Sequence, residues 1–288
     1  MRSRQLILVF HPQFMIEHVV DTRVRHVILH YHIFKNAGTT IDAVLENNFG
    51  AGFAHLHGRR HDSAVTNTDL VDFLLAYPEI RAVSSHHLRL PKPESDAFVF
   101  FDTVILRHPL DRLRSIYDFY RRAEDNGDPL AAQARQLDLA RFMELLLARY
   151  PHLVNNSQVN CLARGGRYTR PPSRADLEKA HRIIMDAAIP GTTEMLDDSL
   201  KVAEYYLFPA FGSLKLEYSP QNVSPDRAEN LDVRLQRMEQ ACGSEIYHKV
   251  LEMNALDLEL LELASIEIRG RRDRIPQVSC QETDGANN

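Results

Sequence analysis

Between His32 and Thr40 the chain reads His-Ile-Phe-Lys-Asn-Ala-Gly-Thr-Thr. A lysine, a turn of small residues and paired threonines follow an apolar, strand-like run from His26 to Phe34 and precede a helical pattern from Gly38 to Asn48. That order builds an anion pocket. Backbone N–H groups of the turn and of the first helical residues lack partners and point at whatever sits there. Lys35 adds a full positive charge, and Thr39 and Thr40 add hydroxyl donors. The common nucleotide loop, G-x-x-x-x-G-K-[ST], does not fit, because here the lysine precedes a single glycine.

A second constellation lies in Thr103–Tyr117. It begins as a buried strand, and Pro109 suits the first helical turn that follows. Leu110, Leu113, Ile116, Tyr117 and Tyr120 recur at helical spacing, so one face is expected to pack on a sheet. Arg107 ends the strand, where open α/β sheets bind ligands, and its guanidinium forks well onto a phosphate. Ser115 lies nearly two turns inside the helix. An anion held by both therefore lies beside that helix. Arg112 and Arg114 read as a solvated basic face. His86 and His87 follow another strand, and an imidazole there can accept a hydroxyl proton near neutral pH. Neighbouring strand residues face opposite sides, so only one of the two can serve.

The first segment resembles the 5′-phosphosulfate loop of sulfotransferases, P-K-[TS]-[GA]-[GS]-T-[TS], through Lys35, Ala37, Gly38, Thr39 and Thr40. Phe34 replaces the proline, and Asn36 replaces the usual hydroxyl residue. The second segment resembles their 3′-phosphate motif, R-[DN]-P-x-x-R-x-x-S-x-[YF], through Arg107, Pro109, Arg112, Ser115 and Tyr117, with His108 in place of the acid. Ser84-Ser85-His86, Asn156-Ser157-Gln158 with Leu162, Gly191-Thr192-Thr193-Glu194 and Asn222-Val223-Ser224-Pro225 resemble, in order, segments of carbohydrate sulfotransferases of the heparan 2-O and chondroitin type. Together the resemblance spans about Val27 to Ile268.

The resemblance implies a P-loop-like, three-layer α/β fold with a mostly parallel central sheet flanked by helices. It implies 3′-phosphoadenosine 5′-phosphosulfate as donor, no metal, and a carbohydrate or other hydroxyl acceptor. Lys35, Asn36, Ala37, Gly38, Thr39 and Thr40 would hold the 5′ side, and Arg107 and Ser115 the 3′-phosphate. Lys35 and a histidine would be catalytic. Alignment with the family's G-H favours His86, and a one-residue shift would select His87. Asn156, Gln158 and Glu194 would contact the acceptor, Glu194 being also an alternative base or an orienting acid. A small-molecule kinase, or a non-catalytic module for nucleotides or sulfated glycans, would use the same loop differently.

Composition narrows the class. With 34 Lys and Arg against 39 Asp and Glu, the net charge is −5. Such a balance disfavours bulk nucleic-acid binding, which needs a basic surface. The cysteines, Cys161, Cys242 and Cys280, are scattered and odd in number, without disulfide or metal spacing. That usage favours a reducing compartment. The apolar run Leu6–Phe10 is too short for a signal core or membrane span, so a cytoplasmic protein is expected. His55, His57 and His61 match no tight zinc pattern and read as a solvated loop.

The elements required to position these residues alternate strand and helix, which implies a parallel sheet. Strands are expected at His26–Phe34, Ile80–Ser84, Asp102–Arg107, Ala187–Ile189 and Ser213–Glu217, with one short strand before residue 25. Helices are expected at Gly38–Asn48, Thr68–Ala76, Pro109–Ala123, Leu137–Arg149, Ser173–Met185, Asp197–Leu207, Asn230–Ala241 and Glu245–Ile266. Asn155–Pro172 reads as an irregular, substrate-facing segment. A single domain over 1–270 and a polar tail over 271–288 complete the expectation.

Overall fold

The computed structural model describes residues 6–11, 14–19, 24–58, 63–124, 127–218 and 230–276. In chain order these form β1 (Leu6–His11), β2 (Phe14–Val19), β3 (Arg25–Tyr31), α1 (Gly38–Phe49), β4 (Phe53–His55), α2 (Asn67–Ala76), β5 (Ala82–Ser85) and β6 (Phe98–Leu106). Then come α3 (Pro109–Arg122), α4 (Pro129–Gln136), α5 (Leu139–Arg149), α6 (Pro151–Val154), α7 (Ser157–Arg164), α8 (Arg174–Asp186), β7 (Ile189–Thr192) and α9 (Leu196–Phe211). The helices α10 (Leu231–Cys242), α11 (Ser244–Met253) and α12 (Ala255–Asp273) close the described chain.

The main sheet has the order β4-β5-β3-β6-β7, every pair parallel. Its strands are apolar on both faces because both are covered, as in all-parallel sheets generally. On one face Ile28, Ala82, Ile105 and Ile189 pack with Ile41, Val44 and Leu45 of α1 and Leu200, Ala203 and Leu207 of α9. On the other, Val27, Leu29, Val83, Val104 and Leu106 pack with Leu70 and Leu74 of α2 and with α7, α8 and α12. The protein is thus a three-layer α/β structure around a five-stranded parallel sheet. β1 and β2 pair as an antiparallel hairpin, two strands where one was expected.

A third core corrects the expectation for α3. Leu110, Leu113, Ile116 and Tyr117 pack on Leu130, Phe142, Met143, Leu146 and Met238, which belong to α4, α5 and α10. The apolar stripe was legible in the sequence, but the surface it covers is a helical lobe and not the sheet. Burying side chains of this size stabilises by roughly 1.5–3 kcal/mol each.

Other departures have local causes. Helix α4 was not expected; Asp128 caps it through Leu130 N–H at 2.8 Å, and Pro129 occupies its first turn. Residues 155–172 include α7, whose Val159, Leu162 and Ala163 enter the sheet-facing core. No strand forms at 213–217. The helix expected over 245–266 breaks at buried Asn254, whose amide donates to the Val250 carbonyl at 2.8 Å. α12 continues to Asp273, past the expected tail boundary. His61, the Asn222–Pro225 turn and residues 277–288 lie outside the described residues.

Candidate functional site

The chain leaves β3 to build β4 and β5 on one side, then returns to place β6 on the other. The loops after β3 and β6 therefore diverge at adjacent C-terminal strand ends, the crevice where open α/β sheets bind ligands. Lys35 follows β3, His86 follows β5, Arg107 follows β6 and Glu194 follows β7. All four sit along one edge because every strand runs the same way.

The turn after β3 holds two non-glycine residues in left-handed conformation, Lys35 at φ 66° and Ala37 at φ 58°. That geometry costs about 1–2 kcal/mol per residue. Its anchor is Asn36, which is buried and donates through Nδ2 to the Ile105 carbonyl at 2.9 Å and to Gln158 Oε1 at 2.7 Å. The Asn36 side chain therefore points inward; its Oδ1 is buried without a partner among the described residues. Ala37 is the N-cap of α1 and supplies no side-chain cap. The N–H groups of Gly38 and Thr39 find no backbone acceptor among the described residues, as an anion-binding helix start requires. Thr39 is exposed at this end and Thr40 buried. Lys35 Nζ lies 4.7 Å from the Phe119 ring centroid and 5.9 Å from that of Phe34.

Gly38 is required by contact. A Cβ there would lie 1.8 Å from His32 Nε2. Gly38→Ala should therefore lower stability by about 2–3 kcal/mol, in the range of overpacking, and weaken anion binding at the loop. A melt and a phosphate titration superimposable on wild type would contradict this.

Arg107 is buried and faces the lysine-bearing turn. Its Nη1 donates to the Lys35 carbonyl at 3.0 Å, while Nε and Nη2 each reach Asp111 Oδ2 at 2.8 Å. Arg234 from α10 holds the same carboxylate at 2.9 Å, and the two guanidinium groups, against the opposing effect of burial, keep the Asp111 carboxyl below its usual range. Three of Arg107's five N–H donors are thus committed, and the other two have no partner among the described residues. Arg112 departs from the solvated reading: it is buried, donating to the Phe34 carbonyl at 3.0 Å and the Leu153 carbonyl at 3.1 Å. Arg114 does face solvent and pairs with Asp118. Ser115 is half-buried on α3 and makes no side-chain hydrogen bond among the described residues.

Gln158 and Asn156 are corrected from acceptor contacts to internal clamps. Gln158 Oε1 accepts from Asn36 Nδ2 and from Arg107 N–H at 2.9 Å; its Nε2 donates to the Arg107 carbonyl at 2.8 Å and toward Asp257 at 3.4 Å. Its hydrogen-bonding capacity is filled, and it ties the Lys35 turn to the end of β6. Asn156 Oδ1 accepts from Leu256 and Asp257 N–H at 2.8 and 3.0 Å, capping α12. In return Asp257 accepts from Gln158 and Val159 N–H at 3.0 and 2.8 Å, capping α7. Asp257 lies 99 residues from Gln158, so no local pattern could reveal it.

The two histidines separate. His87 Nδ1 accepts the Gly58 N–H at 2.7 Å, so that ring is turned to the loop carrying His55 and His57. His86 Nδ1 lies 2.7 Å from the His32 carbonyl. A carbonyl only accepts, so Nδ1 carries the proton and Nε2 keeps its lone pair. The His86 ring packs on His32, centroids 3.8 Å apart, leaving one edge in solvent. That removal from water, aided by the neighbouring His32, lowers its pKa to about 4. His108, where the related motif has an acid, is also lowered to about 4, chiefly by burial. Its backbone N–H donates to exposed Glu194 Oε1 at 2.8 Å.

The sign for stability follows. Unfolded, both histidines bind a proton below about 6.5; folded, only below about 4. Their contribution is complete above pH 6.5 and is lost as pH falls toward 4. Thermal melts should therefore decline between pH 6.5 and 4, and replacing His108 with Gln should flatten that decline; an unchanged slope would contradict the assignment.

His30, His32 and Asp42 form a further cluster that sequence spacing missed. His30 Nδ1 lies 2.9 Å from Asp42 Oδ1 and 3.0 Å from Ser84 Oγ, and His32 Nδ1 lies 3.2 Å from Asp42 Oδ2. The signal was present as His-x-His across the end of β3, followed by an acid on the next helix. No helix among the described residues is long and apolar enough to cross a membrane.

No family model matches the chain. The chain is similar to an uncharacterized protein of Archaeoglobus fulgidus, 29% identical over 248 residues, which cover 83% of this chain and 95% of that protein.

Proposed function

We propose that this protein is a sulfotransferase that moves a sulfuryl group from 3′-phosphoadenosine 5′-phosphosulfate to a hydroxyl, most suitably on a carbohydrate. The observation that carries the reading is the meeting of two anion grips. Arg107 Nη1 reaches the Lys35 carbonyl at 3.0 Å, while the uncapped start of α1 opens beside them. An ordinary nucleoside triphosphate carries no 3′-phosphate for the second grip to hold. The free N–H groups of the α1 start, with the exposed Thr39 hydroxyl, suit a 5′-phosphate. The two uncommitted donors of Arg107, with Ser115, suit a 3′-phosphate.

In this reading the chain's residues divide the work. His86 Nε2 takes the proton of the attacking hydroxyl as its oxygen bonds to sulfur. Lys35 offsets the charge on the phosphate oxygen from which sulfur departs, and the other product is 3′,5′-ADP. Such positioning and electrostatic stabilisation dominate the related chemistry of phosphoryl transfer. No metal takes part in the proposed step. Cys161 and Cys242 are free thiols, which suits a reducing, cytoplasmic setting.

The test is a transfer assay with the 3′-phosphorylated donor and a panel of sugars and simple alcohols, without metal. The reading expects 3′,5′-ADP to form only when a hydroxyl acceptor is present. ATP consumption with Mg²⁺ in place of that reaction would indicate a kinase instead.

A further inference from the structure

We propose that Asp42 is a positioning residue for His86: its carboxylate bridges His30 and His32, and so fixes a residue that touches both the candidate base and the candidate anion loop. The catalytic consequence rests on the sulfuryl-transfer reading; the positioning itself rests on geometry.

His32 links the candidate base to the anion loop. Its carbonyl holds His86 Nδ1 at 2.7 Å, which sets the tautomer that frees Nε2. Its ring packs on the His86 ring, centroids 3.8 Å apart. The Nε2 end of the same ring abuts Gly38, so closely that a Cβ there would overlap it. A shift of His32 would thus move the base and the floor of the anion loop together. What holds His32 is Asp42, on the first turns of α1. A carboxylate only accepts, so His30 presents Nδ1–H to Oδ1 at 2.9 Å, while His32 Nδ1 lies 3.2 Å from Oδ2. The His30 and His32 rings stack 17° from parallel with centroids 5.1 Å apart. The Asp42 carboxylate thus spans the two rings, with Oδ1 hydrogen-bonded to His30 Nδ1 and Oδ2 within ion-pair distance of His32 Nδ1.

The bridge also sets the charge around His86. Of the titratable groups that act on it, His32 and His30 oppose its protonation and Asp42 favours it. The Arg89 guanidinium also lies close, donating to the His86 carbonyl at 2.6 Å. When His86 takes up a proton, Asp42 is the acid that offsets the new charge. Burial would raise the Asp42 carboxyl, but the hydrogen bonds and charges of His30 and His32 outweigh it and hold that carboxyl well below the usual range, so it stays ionised for this task.

The experiment compares wild type with Asp42→Asn, using histidine-labelled ¹⁵N NMR, 3′,5′-ADP titration and transfer kinetics. Asp42→Asn should lower kcat about 10- to 100-fold, the usual range for residues that orient a functional group. Affinity for 3′,5′-ADP should fall by a smaller factor than kcat, because the loop keeps its Asn36 anchor while the base loses its orienting carboxylate. The His86 resonances should titrate at lower pH than in wild type. Asp42→Ser, which leaves a smaller acceptor, replaces it if Asp42→Asn does not fold. A folded variant with wild-type kcat and an unchanged His86 titration overturns the inference. If wild type itself fails to bind 3′,5′-ADP, the sulfuryl-transfer reading falls, and the His86 titration still decides the positioning role.

Discussion

His86→Ala should bind 3′,5′-ADP as wild type does and transfer sulfuryl groups about 10²–10⁴-fold more slowly, the usual contribution of a positioned base. The separation of effects follows from placement. His86 stands at the end of β5 and touches His32 and Phe34, while the proposed anion grips are built on the turn after β3 and on Arg107. Deleting the imidazole therefore removes a proton acceptor without removing a phosphate contact. The pH dependence gives a second signature. With a pKa near 4, the neutral, proton-accepting form predominates above that pH, so kcat should fall on acidification only near pH 4. His87→Ala should leave that limb in place, since the His87 ring is turned to Gly58. Wild-type turnover in His86→Ala would remove His86 from the mechanism.

Gln158→Leu should be the most damaging substitution for the fold. Leucine replaces the amide with a side chain of similar size, so little cavity arises and the loss is polar. It strands one N–H of the Asn36 amide, the Arg107 N–H and the Arg107 carbonyl inside the protein. Each buried group left unsatisfied costs about 1–3 kcal/mol, so a loss of at least about 3 kcal/mol is expected from chemical denaturation. The same change frees the strained Lys35 turn from the end of β6, so 3′,5′-ADP affinity should fall as well. Gln158→Glu tests the directionality: its carboxylate still accepts but cannot donate to the Arg107 carbonyl. A Leu variant within about 1 kcal/mol of wild type would show that the clamp is dispensable.

The sequence made the sheet and the anion turn legible because both are local patterns. Strand, lysine, small residues and threonines occupy consecutive positions, and α1 begins at Gly38 as the pattern indicates. The same holds for β6, Arg107 and α3. The departures share a different cause. Gln158, Asn156 and Arg112 carry polar side chains whose partners lie far away in the chain, at Arg107, at Asp257 and Leu256, and at Phe34 and Leu153. Read one residue at a time, a polar side chain near a site suggests a ligand contact; burial turns it into a clamp. The apolar stripe of α3 likewise announced a buried face but not its partner, because periodicity records that a face is covered and not by what. Asp42 escaped notice for the opposite reason. One histidine on β3, one just after it and a helix acid ten residues beyond His32 form no recognised spacing, and only the packing of α1 on β3 brings them together.

A calorimetric titration of the purified protein with 3′,5′-ADP, ADP and ATP, all without metal, bears most directly on the paired phosphate grips at residues 35–40 and 107. The account predicts clear preference for the 3′-phosphorylated ligand, and loss of that preference when Arg107 is replaced by Met. Equal binding of ADP and 3′,5′-ADP, or binding of ATP alone, would contradict it.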